Sequence, residues 1–166
     1  MHFLIFSDSH GHPENINKVL SFAGRYDGVF FLGDGIRDLD YCDFSTPVLY
    51  AVKGNCDMFY SSSEDFCDKR EIVIGNKKIL ITHGHSHGVK SSLGSLIYDA
   101  AERDADIVLF GHTHQRFERR YTPEDSVMLS KPLYVFNPGA ISGYAASFGC
   151  LDITSRGEIL LSHGEL

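Results

Sequence analysis

The strongest constraint on the fold is a pattern that recurs six times: a short apolar, β-favouring run followed at once by a polar, glycine-rich loop. The runs are His2–Phe6, Gly28–Leu32, Val48–Val52, Lys78–Ile81, Asp106–Phe110 and Leu133–Phe136. Each run has the length of one buried strand, and each loop marks where that strand ends. The pattern predicts a sheet protein whose polar groups gather at strand ends.

Two segments between these runs have helical periodicity, 13–23 and 92–103. Strands that alternate with helices predict mostly parallel pairing in the first two-thirds of the chain. The last third differs, because it carries short runs that predict antiparallel strands, namely Phe117–Tyr121, Ser126–Leu129, Ser147–Ile153 and Glu158–Leu161. We therefore predict the α/β class, with two mixed β-sheets packed face to face and helices outside.

The bulk composition narrows the function. A length of 166 residues without repeat or linker predicts a single domain, 1–166. The net charge of −7 disfavours tight nucleic-acid or anionic-membrane binding, which needs a basic surface. Four cysteines without a CxxC pair predict reduced thiols in a cytoplasmic protein. With no signal peptide and no apolar stretch of about 20 residues, we expect no membrane association.

Side chains able to bind metal follow five of the six runs. Asp8 and His10 form an Asp-x-His pair, Asp34 stands between two glycines, and Asn55 follows another glycine. Taken singly, each is more simply a turn, cap or solvated residue. Open α/β sheets, however, bind ligands beyond the carboxyl ends of their strands, so these side chains could converge at one edge.

Two histidine clusters favour the metal interpretation. Residues 83–87 contain three histidines and residues 112–114 contain two, each cluster closely following a predicted buried strand. An isolated histidine is usually a hydrogen-bonded core residue, whereas imidazole is also the commonest metal ligand and is largely neutral at physiological pH. The combination of both clusters with the Asp-x-His, Gly-Asp-Gly and Gly-Asn motifs indicates a metal centre.

As a set these motifs resemble the calcineurin-like metallophosphoesterases, in particular their small single-domain phosphodiesterases of the YfcE type. The matching segments are 8–10, 33–34, 54–57, 82–85, 111–114 and 137–139. The resemblance runs from the first strand to about residue 140 and implies a four-layer α/β/β/α sandwich.

The resemblance also implies two divalent cations. The first would be held by Asp8, His10, Asp34 and His114. The second would be held by Asp34, Asn55, His83 and His112. Such mixed oxygen and nitrogen donors suit manganese, zinc or iron better than calcium or magnesium. The family implies manganese first, with zinc, iron(II) and nickel as alternatives.

The implied reaction is hydrolysis of a phosphate ester, a phosphodiester first, by a hydroxide that bridges the two cations. Asn55 and His83 would stabilise charge on the phosphoryl oxygens, and Arg37 is either a phosphate contact or a surface arginine. Many relatives have a histidine where this chain has Cys56, and a thiol is a poor proton donor. We therefore expect modest turnover or a preference for good leaving groups.

Three histidines are candidates to supply the missing proton, namely His12, His85 and His87. Of these, His85 is assigned a chemical role without binding metal. The loop from Met58 to Lys69 is expected to cover the site.

Other functions stay open. A scaffold of the same fold, as the retromer subunit is, need not keep all seven ligands. A phosphomonoesterase or nucleotide phosphatase would use the same metals, while a DNA nuclease is disfavoured by the short, acidic chain. Small relatives often form dimers or tetramers, so a homo-oligomer is expected by analogy.

Overall fold

The computed structural model of the protein describes residues 1–44, 48–58 and 66–166. These residues form two five-stranded sheets and two α-helices. The strands are β1 His2–Phe6, β2 Gly28–Phe31, β3 Leu49–Ala51, β4 Lys69–Ile74, β5 Lys77–Thr82, β6 Ile107–Leu109, β7 Arg116–Tyr121, β8 Leu133–Pro138, β9 Ser147–Ile153 and β10 Ile159–Glu165. The helices are α1 Pro13–Phe22 and α2 Gly94–Glu102. Most of the loop predicted to cover the site, residues 59–65, lies outside the described residues.

Both sheets are mixed. The first has the order β10-β9-β1-β2-β3, in which β1, β2 and β3 are parallel and β9 and β10 are antiparallel. The second has the order β4-β5-β6-β8-β7, with a parallel centre and antiparallel strands at both edges. Parallel pairing therefore places the carboxyl ends of β1, β2 and β3 at one edge, as it does for β5, β6 and β8.

Three apolar clusters show the layers. The central cluster joins the two sheets, with Phe3 and Ile5 of β1 packed among residues such as Leu109 and Phe136. Alternate residues of β1 face the other way and pack under α1. A third cluster joins α2 to the outer face of the second sheet. Successive layers are thus helix, sheet, sheet and helix, which confirms the predicted fold class.

Two sequence predictions fail locally. The predicted strand Ser126–Leu129 is a turn, because the Asp125 carboxylate accepts hydrogen bonds from the Thr122 backbone and hydroxyl and bends the chain there. Val127, which the strand would have packed, is fully exposed at 100%. Only Leu129 of this run is buried, in the third apolar cluster, so the run lacks the alternating buried face of a strand.

Strand β4 was not predicted. It pairs with β5 through a turn at Gly75 and Asn76, both of which have positive φ, at 53° and 65°. Positive φ at both central residues is the signature of a type I′ hairpin. Only Ile72 and Ile74 of this strand are buried. The charged residues at its start therefore obscured the alternation of apolar and polar residues that predicts a strand.

Neither α-helix is long and apolar enough to cross a bilayer, within the part of the chain that the structure describes.

Candidate metal centre

The loops that follow the central strands meet at one edge of the sandwich. The backbone N–H of Asp8 donates to the Gly33 carbonyl at 2.9 Å, and that of His10 donates to the Asp34 carbonyl at 3.1 Å. These bonds tie the loop after β1 to the loop after β2. The N–H of His112, in the loop after β6, donates to Asp8 Oδ2 at 3.0 Å and so joins the two sheets. The predicted convergence of distant motifs is confirmed in geometry.

The backbone at this edge is strained. Five of the seven predicted ligands have positive φ, namely Asp8 at 57°, His10 at 46°, Asp34 at 57°, His112 at 67° and His114 at 59°. A left-handed conformation costs a residue other than glycine about 1–2 kcal/mol, and such strain clusters at functional sites. Gly33 permits a close approach of two backbones, since a Cβ there would lie 2.5 Å from the Gly54 nitrogen.

Asp34, His83 and His112 form a first group of potential ligands, which we call the buried group. His83 Nε2 lies 3.3 Å from Asp34 Oδ2 and 3.2 Å from His112 Nδ1. His83 is fully buried, and its Nδ1 donates to the Leu32 carbonyl at 2.7 Å. Because Nδ1 keeps its proton on the Leu32 carbonyl, Nε2 is the ring atom that would lose its proton to bind a cation, and it faces the other two residues.

Within the buried group, Asp34 and His83 favour each other's charged form, whereas His83 disfavours the charged form of His112. Burial disfavours the charged form of Asp34, but the hydrogen bond and charge of His83 outweigh it and hold the pKa of Asp34 well below its usual range. Burial likewise opposes the charged form of His83, yet its contact with Asp34 and the charge of Asp8 raise its pKa. Burial, followed by the charge of His83, lowers the pKa of His112 to about 4. His112 is therefore neutral and able to donate its lone pair at physiological pH.

Asp8, His10 and His114 form a second group, the rim group. His114 Nε2 lies 3.2 Å from Asp8 Oδ1 and 3.2 Å from His10 Nε2. His10 Nε2 is also 3.9 Å from Asp34 Oδ2, so the Asp34 carboxylate stands between the two groups. In both groups the potential ligand atoms all lie within 4.8 Å of one another. Asp34 also forms a third, overlapping group with His10 and Cys56.

Two buried side-chain oxygens of the predicted ligands accept no hydrogen bond from the described residues. They are Asp8 Oδ1 and Asn55 Oδ1. Leaving a buried acceptor unsatisfied costs about 1–3 kcal/mol, so such atoms call for a missing partner. Cations between these oxygens and the imidazole nitrogens would supply it. The donor set therefore fits the divalent metal ions that this architecture implies.

Asn55, Cys56 and His85 complete the wall of the site. Asn55 Nδ2 donates to Cys56 Sγ at 3.3 Å, and the Cys56 N–H donates to Asp34 Oδ1 at 2.7 Å. Burial and the contact with Asp34 raise the pKa of Cys56 to about 11, so it stays a thiol at neutral pH. The His85 ring lies 5.5 Å from the His83 ring, and burial followed by the charge of His83 lowers its pKa.

The other two candidate proton donors are engaged elsewhere. His12 Nδ1 lies 2.8 Å from Glu14 Oε1, at the start of α1. His87 Nε2 lies 3.1 Å from Asp99 Oδ2 on α2, which turns it away from both ligand groups. Arg37 is exposed and lines a cleft of about 360 Å³ that begins at His10 and Asp34. This position is compatible with the predicted contact between Arg37 and a phosphate.

Two aspartates that the sequence analysis gave no role organise the loops. Asp57 accepts four backbone hydrogen bonds of 2.7–3.0 Å, from Asp34, Gly35, Ile36 and Gly54. Asp38 accepts from Ser9 Oγ at 2.5 Å and from the Gly11 N–H at 2.8 Å. They shape the turns that present the ligands. Asp57 already stood within the 54–57 motif, so its position was a usable signal.

Asn137 has a similar role on the second sheet. Its Nδ2 donates to the Gly111 carbonyl at 2.9 Å and to Thr113 Oγ1 at 3.1 Å, and its Oδ1 accepts from the Gly139 N–H at 2.9 Å. It is fully buried directly beneath the 111–114 loop. A single amide therefore holds the loop that carries His112 and His114.

Comparison with known proteins agrees with this geometry. The chain belongs to the calcineurin-like phosphoesterase superfamily, whose domain matches residues 1–156. It is 37% identical over 115 residues to the probable metallophosphoesterase YsnB of Bacillus subtilis. That alignment covers 69% of this chain and 64% of YsnB, so the matched part is slightly under two-thirds of the relative.

Three solved structures share the fold over almost all of their length. An archaeal phosphodiesterase has a TM-score of 0.74 at 25% identity and covers 100% of both chains. Vps29 of Entamoeba histolytica, complexed with zinc, has a TM-score of 0.71 at 22% identity, covering 99% of each chain. YfcE, a phosphoesterase from E. coli, has a TM-score of 0.64 at 20% identity, covering 99% of this chain and 98% of its own. The resemblance drawn from the motifs is confirmed, and membership of this superfamily supports a hydrolase.

Proposed function

We propose that this protein is a dinuclear-metal phosphodiesterase. The observation that carries the proposal is the pair of neighbouring ligand groups, buried and rim: Asp34 of the buried group lies 3.3 Å from His83 and 3.9 Å from His10 of the rim group. The buried oxygens of Asp8 and Asn55 support it, since neither accepts a hydrogen bond from the described residues and each could bind a cation. Similarity to an archaeal phosphodiesterase supports the reaction class.

The metals would be held by the seven residues named from the sequence, with Asp34 common to both. When bound, two cations place positive charge beside the phosphoryl oxygens and make water a stronger nucleophile at neutral pH. Two of the imidazoles are prepared for metal binding. The Leu32 carbonyl fixes the His83 tautomer, and the pKa of His112 near 4 keeps that ring neutral at pH 7. The Asn55 amide would orient a phosphoryl oxygen through its N–H groups.

Protonation of the leaving group is the weak step of the proposed site. Cys56 keeps its proton with a pKa near 11 and is a weak hydrogen-bond donor. His85 has a lowered pKa, so it is neutral at pH 7 and offers a hydrogen bond rather than a ready proton. Esters whose leaving groups need no proton, such as nitrophenolates, should therefore react fastest.

The test compares bis(4-nitrophenyl) phosphate with 4-nitrophenyl phosphate in the presence of Mn²⁺, with and without a chelator. We expect diester hydrolysis that the chelator abolishes and added metal restores, at a higher kcat/KM than for the monoester. A faster monoester reaction would make the protein a phosphomonoesterase instead. Elemental analysis of the purified protein should find two divalent ions per chain.

The fold likeness to Vps29 favours an interaction scaffold as the second candidate. Under that alternative neither ester would be hydrolysed at any metal concentration, although metal could still bind. Manganese as the native ion, a cytoplasmic location and a dimer or tetramer remain predictions.

A further inference from the structure

A second groove opens beside the metal centre, on the side of the 111–114 loop. It encloses about 460 Å³, and its lining includes Lys90, Thr113, Arg116 and Phe117; we call it the Lys90 groove. Thr113 stands between the proposed ligands His112 and His114, so the groove begins where the candidate centre ends. The groove therefore adjoins the loop that carries both histidines.

The charge of the Lys90 groove is opposite to that of its surroundings. The chain has a net charge of −7, and the cleft on the other side of the centre is lined by Asp34, Asp38 and Asp57. No carboxylate lines the Lys90 groove among the described residues, whereas a lysine and an arginine do. This difference favours an anionic occupant in the Lys90 groove.

Lys90 is the available cation of the groove. Its side chain is exposed, and no carboxylate in the described ranges lies within ion-pair distance of it. Arg116, in contrast, is paired with Glu165 at the end of β10. Lys90 lines the same groove as Thr113, the residue between the proposed ligands His112 and His114.

The remaining walls suit an organic group. Phe117 and Leu93 are half-buried and give an apolar surface, while Ser91, Ser92 and Gln115 offer polar contacts at the rim. An apolar wall with a few placed polar groups is the usual composition of a small-molecule site. An occupant that combines a ring with a negative charge would satisfy both features.

We propose that the Lys90 groove binds one ester arm of the substrate, and that this arm carries a second phosphate held by Lys90. The inference rests on the proposed phosphodiesterase function and narrows its substrate class to diesters with a phosphorylated, nucleoside-like arm. Lys90 is then a specificity-determining residue, since it would contact a part of the substrate that does not react.

Two substrates with the same reacting group test this. They are thymidine 5′-(4-nitrophenyl phosphate) and the same diester with an added 3′-phosphate. We expect the protein to prefer the second by about tenfold in kcat/KM, the value of one charge-assisted contact. Lys90→Gln should bring this ratio close to one. Lys18→Gln, which removes an exposed lysine on α1, should keep it near ten.

Each result has a distinct meaning. A ratio near one in the unaltered protein, or an unchanged ratio in Lys90→Gln, would overturn the substrate inference while leaving a phosphodiesterase. Absence of chelator-sensitive hydrolysis of both substrates would remove the proposed function and this inference with it. The ratio is read within one preparation, so a partly unfolded variant lowers both rates and leaves the comparison intact.

Discussion

The buried and rim groups of the candidate centre contain the same chemistry in different surroundings. In the buried group the His83 side chain is 0% exposed and Asp34 is 2% exposed. In the rim group the His10 side chain is 32% exposed and that of His114 is 49% exposed. Burial and a fixed tautomer make Asp34 and His83 rigid, with His112 half-buried beside them, whereas the two rim imidazoles face solvent and each other over the fully buried Asp8. One half of the centre is therefore preorganised and the other adaptable.

This difference predicts two classes of metal affinity. A rigid group loses little conformational freedom when it binds a cation, and low dielectric strengthens its charges. Exposed side chains lose rotamer freedom and compete with water. We expect the cation at the buried group to bind tightly and the cation at the rim group to exchange. Asp34 belongs to the buried group and also lies 3.9 Å from His10 of the rim group, so changing it should have the largest effect.

Asp34→Asn should lower kcat/KM roughly a thousandfold, about 4 kcal/mol in transition-state stabilisation. The reason is that an amide removes the negative charge that both proposed cations share. Elemental analysis should find fewer than two ions per chain. Asp43→Asn, at an exposed aspartate away from the centre, is the control and should match the unaltered protein. Two retained ions in Asp34→Asn would contradict the shared carboxylate.

His83→Asn and His10→Asn should separate the two groups. We expect His83→Asn to lose at least a hundredfold in activity that excess Mn²⁺ does not restore, because a preorganised ligand is missing. His10→Asn should lose activity at stoichiometric Mn²⁺ and regain most of it when metal is added, because an exposed position is more readily replaced by water. Titration of activity with Mn²⁺ measures both, and equal rescue would show that burial does not divide the centre.

Asn137→Ala should weaken metal binding about tenfold, in the range found when a supporting residue behind a ligand is removed. The loop that carries His112 and His114 would lose its hydrogen bonds to the amide. Excess Mn²⁺ should restore the rate, which a purely structural defect would not allow. Asn17→Ala removes another amide that bonds the backbone, at Tyr41 and Asp43, and should leave the metal affinity unchanged.

Asp99→Asn should have the smallest effect on activity and a measurable one on stability. Burial disfavours the Asp99 carboxylate, but bonds from Lys69, His87 and Arg103 outweigh it and lower its pKa from 3.8 to about 2. A lowered folded pKa stabilises the protein above pH 3.8, and that stabilisation disappears as the pH falls towards 2.

The free energy of unfolding should therefore fall by about 1–2 kcal/mol at pH 7 in Asp99→Asn, discounted for partly exposed partners. Unfolding by denaturant across pH 2–7 measures it, and the gap to the unaltered protein should narrow at the acid end. Asp104→Asn is the control, because its ion pairs with Lys78 and Lys131 are exposed. A gap that widens towards acid would contradict the assigned sign.

Part of the candidate site could be predicted because its ligand residues lie in short sequence motifs. Asp8, Asp34 and the histidines come directly after strands that are recognisable from their own apolar residues. The loops that carry these ligands can therefore be located from the sequence without knowing which strands are neighbours in the fold. The role of Asp57 could not, since four backbone N–H groups become its partners only after two loops meet. The same holds for Asn137, whose partners come from the 111–114 loop.

The chain by itself determined the positions of the central strands and both helices, the metal-binding residue types and the superfamily, because these depend on local periodicity and on motifs. Tertiary structure decided which sheet each strand joined, that β4 forms a hairpin with β5, and that 126–129 is a turn. It also decided that His83 faces the centre while His87 turns to Asp99. These outcomes depend on contacts between residues far apart in the chain, which no local pattern contains.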